Sequence, residues 1–325
     1  MYSPSSRRRG RLHFPVSWIW FTLVIILAIV IVSVVSSIVT PWIKSLHFPA
    51  APGTTQQVIT TLNVQRTAAY AGLDITVVSA QYAVAFADDT IHSGFAIVRL
   101  TMQVANHSGD EAHVLYYSCA HLLVPKQSAI SPTNTNLSVG PRPNTSESGW
   151  IDFPVPKGIQ LDMLSLQLGS TTLNESLVTI PFKGAFDPGR YTDKSSQQNV
   201  TFSYTFIPRP YTVYVLTYHI TRVDIRFAYQ GNQCKTGQKF YIISFKVDNP
   251  YGVDVTPGWA YDYVRLVVNG YSQAPLDSTL PDTFKARASG TGGQVVFAAP
   301  AGMHPLTIGL LPQNGGTQQD HDLNV

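Results

Sequence analysis

Two stretches of this chain carry the same three sequence blocks in the same order, and a repeat limits the fold more tightly than composition can. Asp74–Ala83 (DITVVSAQYA) returns as His219–Ala228 (HITRVDIRFA). Leu100–Asn106 (LTMQVAN) returns as Ile243–Asn249 (ISFKVDN), and Gly149–Pro156 (GWIDFPVP) as Gly293–Pro300 (GQVVFAAP). The last pair shares the pattern G-x-[IV]-x-F-x-x-P. Asn106 and Phe153 lie 47 positions apart, Asn249 and Phe297 lie 48 apart. Within the blocks an apolar residue alternates with a polar or small one, the period of a half-buried strand, and the second block ends on an asparagine suited to a turn. Gly, Pro, Asn and Ser clusters separate the runs, and no long 3.6-residue period follows Trp42. The expectation is an all-β protein.

Each copy is about 100–120 residues, the size of one β-sandwich and enough to be stable by itself. We place the first sandwich at residues 55–182, a linker at 183–196 around Pro188-Gly189 and Ser195-Ser196, and the second sandwich at 197–312. Gln56–Thr60 and Gln197–Thr201 mark a leading strand for each copy. The polar, glycine-containing residues 313–325 read as a disordered tail.

A strand ending in an asparagine turn, then G-x-[IV]-x-F-x-x-P some 45 residues later, then a short apolar strand (Leu164-Ser165-Leu166, Leu306-Thr307-Ile308) makes up each copy. This pattern resembles the telokin-like, immunoglobulin-like domains of bacterial lipoproteins and membrane-anchored proteins, a family of unknown function. The resemblance covers residues 55–312 as two copies. It implies immunoglobulin-like sandwiches placed outside the membrane. It carries over no functional residue, because its motifs are core and turn positions. This chain departs from the lipoprotein form in having no cysteine near its N-terminus to carry a lipid.

Ahead of the repeats, Arg7, Arg8, Arg9 and Arg11 precede an uncharged segment from Val16 to Val39, with ten consecutive apolar residues from Leu23 to Val32. As a helix those 24 residues rise roughly 36 Å, enough to cross a hydrocarbon core of about 30 Å. Trp18, Trp20 and Trp42 flank the segment as interfacial aromatics do, and Pro41 stops it. A cleaved signal peptide is the competing reading. The apolar stretch is too long for one, and Ser36 to Thr40 make no small-x-small cleavage site. We read residues 1–15 as a basic cytoplasmic N-terminus, 16–39 as a single transmembrane helix and 40–54 as a stalk. Positive charge stays inside, so the repeats are extracytoplasmic. The overall charge of +3 then resolves by position. Four of the 22 basic residues and none of the 19 acidic ones precede Lys44, which leaves the exterior nearly neutral and removes the electrostatic support for nucleic-acid binding.

The search for chemistry is sparser. Only 13% of residues are charged, which argues against an ordinary cytosolic enzyme. There is no G-x-S-x-G elbow and no Ser-x-x-Lys pair. Ser289–Gly293 lacks the lysine and helix of a phosphate loop and reads as a hairpin turn. Of nine histidines, only His107, His113 and His121, near Asp110 and Glu111, cluster in sequence; a solvated loop accounts for them more simply than a metal site. No catalytic residue, metal site or cofactor is expected. Cys119 and Cys234 do not correspond in the repeat. A disulfide within one sandwich is therefore excluded, while one interdomain bridge and two separate thiols both stay open. Five sequons occur, at Asn106, Asn136, Asn144, Asn174 and Asn199.

The one surface that invites a partner is aromatic: Tyr251, Trp259, Tyr261 and Tyr263 follow the second asparagine turn, where the first copy has Tyr116-Tyr117. Rings on a loop offer large contact area at small entropic cost. Alternation of Tyr261 and Tyr263 along a strand, with Trp259 filling a domain edge, is the competing assignment. The leading function is a membrane-anchored, non-enzymatic binding module for an envelope component or another extracytoplasmic protein. A structural spacer or accessory subunit of a membrane complex is the alternative, and a metal-binding or hydrolytic role through the histidines ranks third.

Overall fold

The computed structural model describes residues 58–88, 95–209, 212–302, 305–312 and 318–324. The basic N-terminus, the proposed membrane helix at 16–39 and the stalk lie outside the described residues. Among those described, no helix is long and apolar enough to cross a membrane. The described chain is all-β and built from antiparallel sheets.

The first half begins with β1 (Thr60–Tyr70), β2 (Leu73–Ala83) and β3 (Ala96–Asn106). A one-turn helix, α1 (Tyr116–Cys119), leads into β4 (Ala120–Leu123), β5 (Asn134–Thr135) and β6 (Thr145–Val155). β7 (Ser165–Leu168) and β8 (Val178–Pro181) complete it. The second half has β9 (Lys194–Arg209), β10 (Thr212–Arg226), the short pair β11 (Ala228–Tyr229) and β12 (Asn232–Gln233), and β13 (Gln238–Asp248). Helix α2 (Ala260–Tyr263) precedes β14 (Val264–Val268), β15 (Tyr271–Gln273) and β16 (Asp277–Ser278). β17 (Thr291–Pro300), β18 (Leu306–Leu310) and β19 (Gln319–Leu323) follow.

The halves are ordered alike. One five-stranded sheet runs β1-β2-β3-β6-β5 and the other β9-β10-β13-β17-β16. Facing them are β4-β7-β8 and β15-β14-β18-β19. Each half closes around its own apolar cluster, with Leu100, Met102 and Phe153 wholly buried in the first and Phe245, Phe284 and Phe297 in the second.

The repeated motif residues have matching structural reasons. Asn106 and Asn249 are buried, at 0% and 1% exposure. Asn106 Nδ2 donates to Asp110 O and Pro141 O, while its Oδ1 accepts from Ser108 N. Asn249 Nδ2 donates to Val253 O, Phe284 O and Lys285 O, and its Oδ1 accepts from Tyr251 N. Each side chain thus ties the turn to the loop before the next long strand. The motif glycines are spacers. A Cβ on Gly149 would meet Leu137 Cδ2 at 2.7 Å, and one on Gly293 would meet Leu280 Cα at 2.5 Å.

Strand pairing moves the first repeated block by two residues. Asp74 faces Ala105 and Thr217 faces Asp248, so Asp74 corresponds to Thr217 and not to His219. A two-residue shift preserves alternation, which is why sequence pattern alone allows it. The shift also uncovers an insertion. Tyr70 pairs with Leu73 across a tight turn at Ala71-Gly72, whereas the corresponding pair Tyr204 and Leu216 is followed by more hairpin, out to Arg209 and Thr212.

Two boundaries differ from the expectation. The tail read as disordered supplies β19, whose Leu323 is buried and whose residues pair with β18 from Leu306 to Leu310. Four polar residues ahead of a single leucine give no strand signal until an open sheet edge is there to accept them. The linker is docked: Asp187 caps a 3-10 turn at Pro188–Tyr191, Tyr191 joins the first core, and β9 starts at Lys194.

The halves meet along one seam. Ala71 N donates to Gln233 Oε1, and Gln233 Nε2 to Ser176 O. Ser176 N donates to Cys234 O and Thr236 N to Asn174 O, with a Glu175↔Lys235 bridge between them. Cys119 and Cys234 are both buried free thiols, so the interdomain disulfide left open by the sequence is not formed. The backbone bonds around Cys234, not sulfur, hold the seam.

Candidate functional site

The site begins at the second buried asparagine. Asn249 sets the turn that carries Tyr251, whose hydroxyl accepts from Val215 N at 2.9 Å and whose ring meets Tyr214 edge-on at 5.0 Å. Tyr251 is therefore a strut under the long β9–β10 hairpin. Gly258, with φ of 104°, then lets the chain re-enter as α2. One helical turn sorts its side chains by direction, and not by the strand alternation expected for Tyr261 and Tyr263. Ala260 and Tyr263 point into the core, while Trp259 and Tyr261 remain 61% and 38% exposed. Tyr263 is a core residue: its hydroxyl lies 3.0 Å from that of Tyr218 and its ring stacks on Tyr204 at 5.1 Å. Of the four aromatic residues, two form a surface and two support it.

That surface is held firmly. The guanidinium of Arg265 donates to Tyr261 O, Asp262 O and Val264 O, taking up the free carbonyls at the end of α2. Asp277, on the edge strand β16, receives Tyr261 OH at 3.2 Å, Tyr229 OH at 2.8 Å, Gln230 Nε2 at 3.2 Å and Ser278 N at 2.7 Å. These donors, Tyr229 foremost, hold its carboxyl below the usual range, so Asp277 is an anion at neutral pH. Burial, together with the bond to Asp277, pushes the Tyr229 phenol up to about 12.

Tyr229 and Gln230 also wall a cleft of about 330 Å³ between the halves. That volume is at the lower end for small-ligand pockets. The first half contributes Asp74, His107 and Asp110, and the second Asp193 and Arg226. His107 Nε2 stands 3.5 Å from Asp74 Oδ2. At the floor the backbones come close, since a Cβ on Gly231 would meet Glu111 O at 3.1 Å. Cleft and aromatic surface are continuous through Tyr229, Gln230 and Asp277.

The histidines singled out by sequence do not converge. His107 faces the cleft, His113 pairs loosely with Glu111 at 3.7 Å on an exposed loop, and His121 lies on β4 opposite Gln167. Among the described residues, no group of three or more His, Cys, Asp or Glu is arranged to hold a metal ion. Four sequon asparagines are exposed, but Asn106 is buried with its amide fully engaged. Sequence reasoning does not reach Asp277, Tyr229 and Gln230, which two separate segments bring together; no local pattern marks them. No family model matches the chain, and no characterised protein matches it by sequence.

Taken together, the groups at this site offer binding chemistry. They supply exposed ring faces, a fixed anionic acceptor and a polar cleft with more acids than bases.

Proposed function

We propose that this chain is a single-pass membrane protein presenting two tandem immunoglobulin-like β-sandwiches outside the membrane, and that it acts as a non-enzymatic binding module. The arginine-flanked apolar segment supports the anchor and its orientation. The like order of the two five-stranded sheets, each faced by a smaller sheet, supports the tandem sandwiches. The observation that carries the binding role is the continuous surface from the interhalf cleft through Asp277 to Trp259. An exposed tryptophan whose backbone is held at the start of a helical turn is a suitable anchor residue, since the backbone part of its ordering cost is met before any partner arrives.

The test is site-specific crosslinking in intact cells. A photoreactive residue at position 259 should form adducts with an envelope component, and the same residue at Asn269, on a distant turn, should not. The double variant Trp259→Ala/Tyr261→Ala, purified with its membrane, should lose those partners. Equal recovery by the variant would overturn the proposal.

A further inference from the structure

The surface around Trp259 has a counterpart in the first half. Leu115 caps α1 as Trp259 caps α2, and each begins five residues with the same alternation of exposure. Leu115 and Tyr117 are 62% and 54% exposed, against 61% and 38% for Trp259 and Tyr261. Tyr116 and Cys119 turn inward as Ala260 and Tyr263 do. The edge strands repeat the polar group as well. Asn134, opposite Asp152, holds the place of Asp277, opposite Val296, and each accepts from the backbone N–H of the next residue. Both turns lead directly into corresponding strands, β4 and β14. Core packing explains the inward residues of each turn. It does not explain a bulky apolar residue facing solvent at the same two positions of both turns.

We propose that these are two equivalent subsites for one polymeric ligand, a neutral or amino-sugar glycan chain bound across both halves. This rests on the binding role argued above and names its ligand class. A repeating polymer is the ligand that presents the same unit twice, and sugar rings stack their C–H faces on exposed aromatic side chains, here Tyr117 in one half and Trp259 and Tyr261 in the other. Charge complementarity selects within the class. Asp277 is anionic, and the adjoining cleft sets Asp74, Asp110 and Asp193 against Arg226, which disfavours phosphorylated or uronic-acid chains. Because the seam fixes the two halves to each other, the second contact is intramolecular, and a chain long enough to span both should gain avidity.

The test is titration calorimetry on the full-length protein in detergent, with β-1,4-linked N-acetylglucosamine oligomers of graded length. Short oligomers should bind at two sites per chain. Longer ones should bind once, roughly 10²-fold tighter or more. Leu115→Ala/Tyr117→Ala and Trp259→Ala/Tyr261→Ala should each leave one short-oligomer site and abolish the length dependence, with circular dichroism unchanged. A single site of length-independent affinity would overturn the two-subsite arrangement while leaving binding at Trp259 intact. No binding at any length would overturn the glycan class, whereas the binding role itself stands or falls on the crosslinking at position 259.

Discussion

Replacing Asn249 with alanine tests whether one buried amide holds together the turn from which the aromatic surface departs. The side chain is 1% exposed and makes four bonds of 2.9–3.0 Å, to Val253 O, Phe284 O, Lys285 O and from Tyr251 N. The amide has two hydrogens for three carbonyls, so one is shared; each full bond is worth about 1 kcal/mol net, and more where the abandoned partner stays dry. Phe284 O keeps a bond from Val255 N, and Lys285 O one from Ala288 N, so neither carbonyl is wholly orphaned. The loss should therefore be about 3–4 kcal/mol, a large share of a typical stability of roughly 5–15 kcal/mol. In urea, with a slope of about 2 kcal/mol per molar, the unfolding midpoint of the second half should fall by about 1.5–2 M. Far-UV circular dichroism would follow it. Asn249→Asp sharpens the test, because a carboxylate lacks the N–H groups and turns its charge on three carbonyl oxygens. It should be at least as damaging at neutral pH and recover in part as acid protonates it. Asn106→Ala should cost a similar amount in the first half. A midpoint shift below about 0.5 M for Asn249→Ala would refute the claim that this amide organises the turn.

Trp259→Ala should change stability by no more than about 0.5 kcal/mol, whereas Tyr263→Ala should cost about 3–5 kcal/mol, because only the second leaves a cavity and orphans the Tyr218 hydroxyl; paired denaturation curves check this. Burial pushes the Cys119 thiol up to about 12 and also raises Cys234, so a maleimide at pH 8 should label neither in the native protein and both in denaturant. Rapid native labelling of either would contradict their placement. His321 stacks on Phe202 at 4.2 Å with its Nε2 buried and unpaired, and burial lowers its basicity despite flanking Asp320 and Asp322. The unfolded chain then takes up a proton near 6.5 before the folded one does, so stability present above that pH is lost as pH falls below it. His321→Phe should remove this part of the acid sensitivity, as seen in melting temperatures between pH 7 and 5.

What the sequence made legible is whatever packing dictates locally. The G-x-[IV]-x-F blocks are strands because Ile151 and Phe153, like Val295 and Phe297, enter the two cores, and their glycines exist because Leu137 and Leu280 press on them. The asparagines stood out as turn residues, though their reach across 35 positions to Pro141 O and Phe284 O is invisible without the fold. The errors share a cause. Registers two residues apart look the same along a strand, so alternation alone allows the His219 block to stand against Asp74 and hides the long β9–β10 hairpin inside the mismatch. An aromatic pair two positions apart suits a strand as well as a helical turn, so Tyr261 and Tyr263 could not be separated into surface and core.

Asp277 shows why sites are harder to read than folds. Its donors arrive from Tyr229 on the short strand β11, Gln230 in the turn that follows and Tyr261 on a helix, and nothing in the sequence connects that strand and turn to the helix or to Asp277. Yet the repeat that reveals the strands also supplies the frame in which such a site is found. Once Asn134 and Asp277 occupy one strand position, and Leu115 and Trp259 one cap, exposure is no longer scattered over the surface. A residue repeatedly left in solvent at the same place in two copies needs a cause outside the core. Contact with a ligand, as proposed above, is a cause that the geometry of both copies can share.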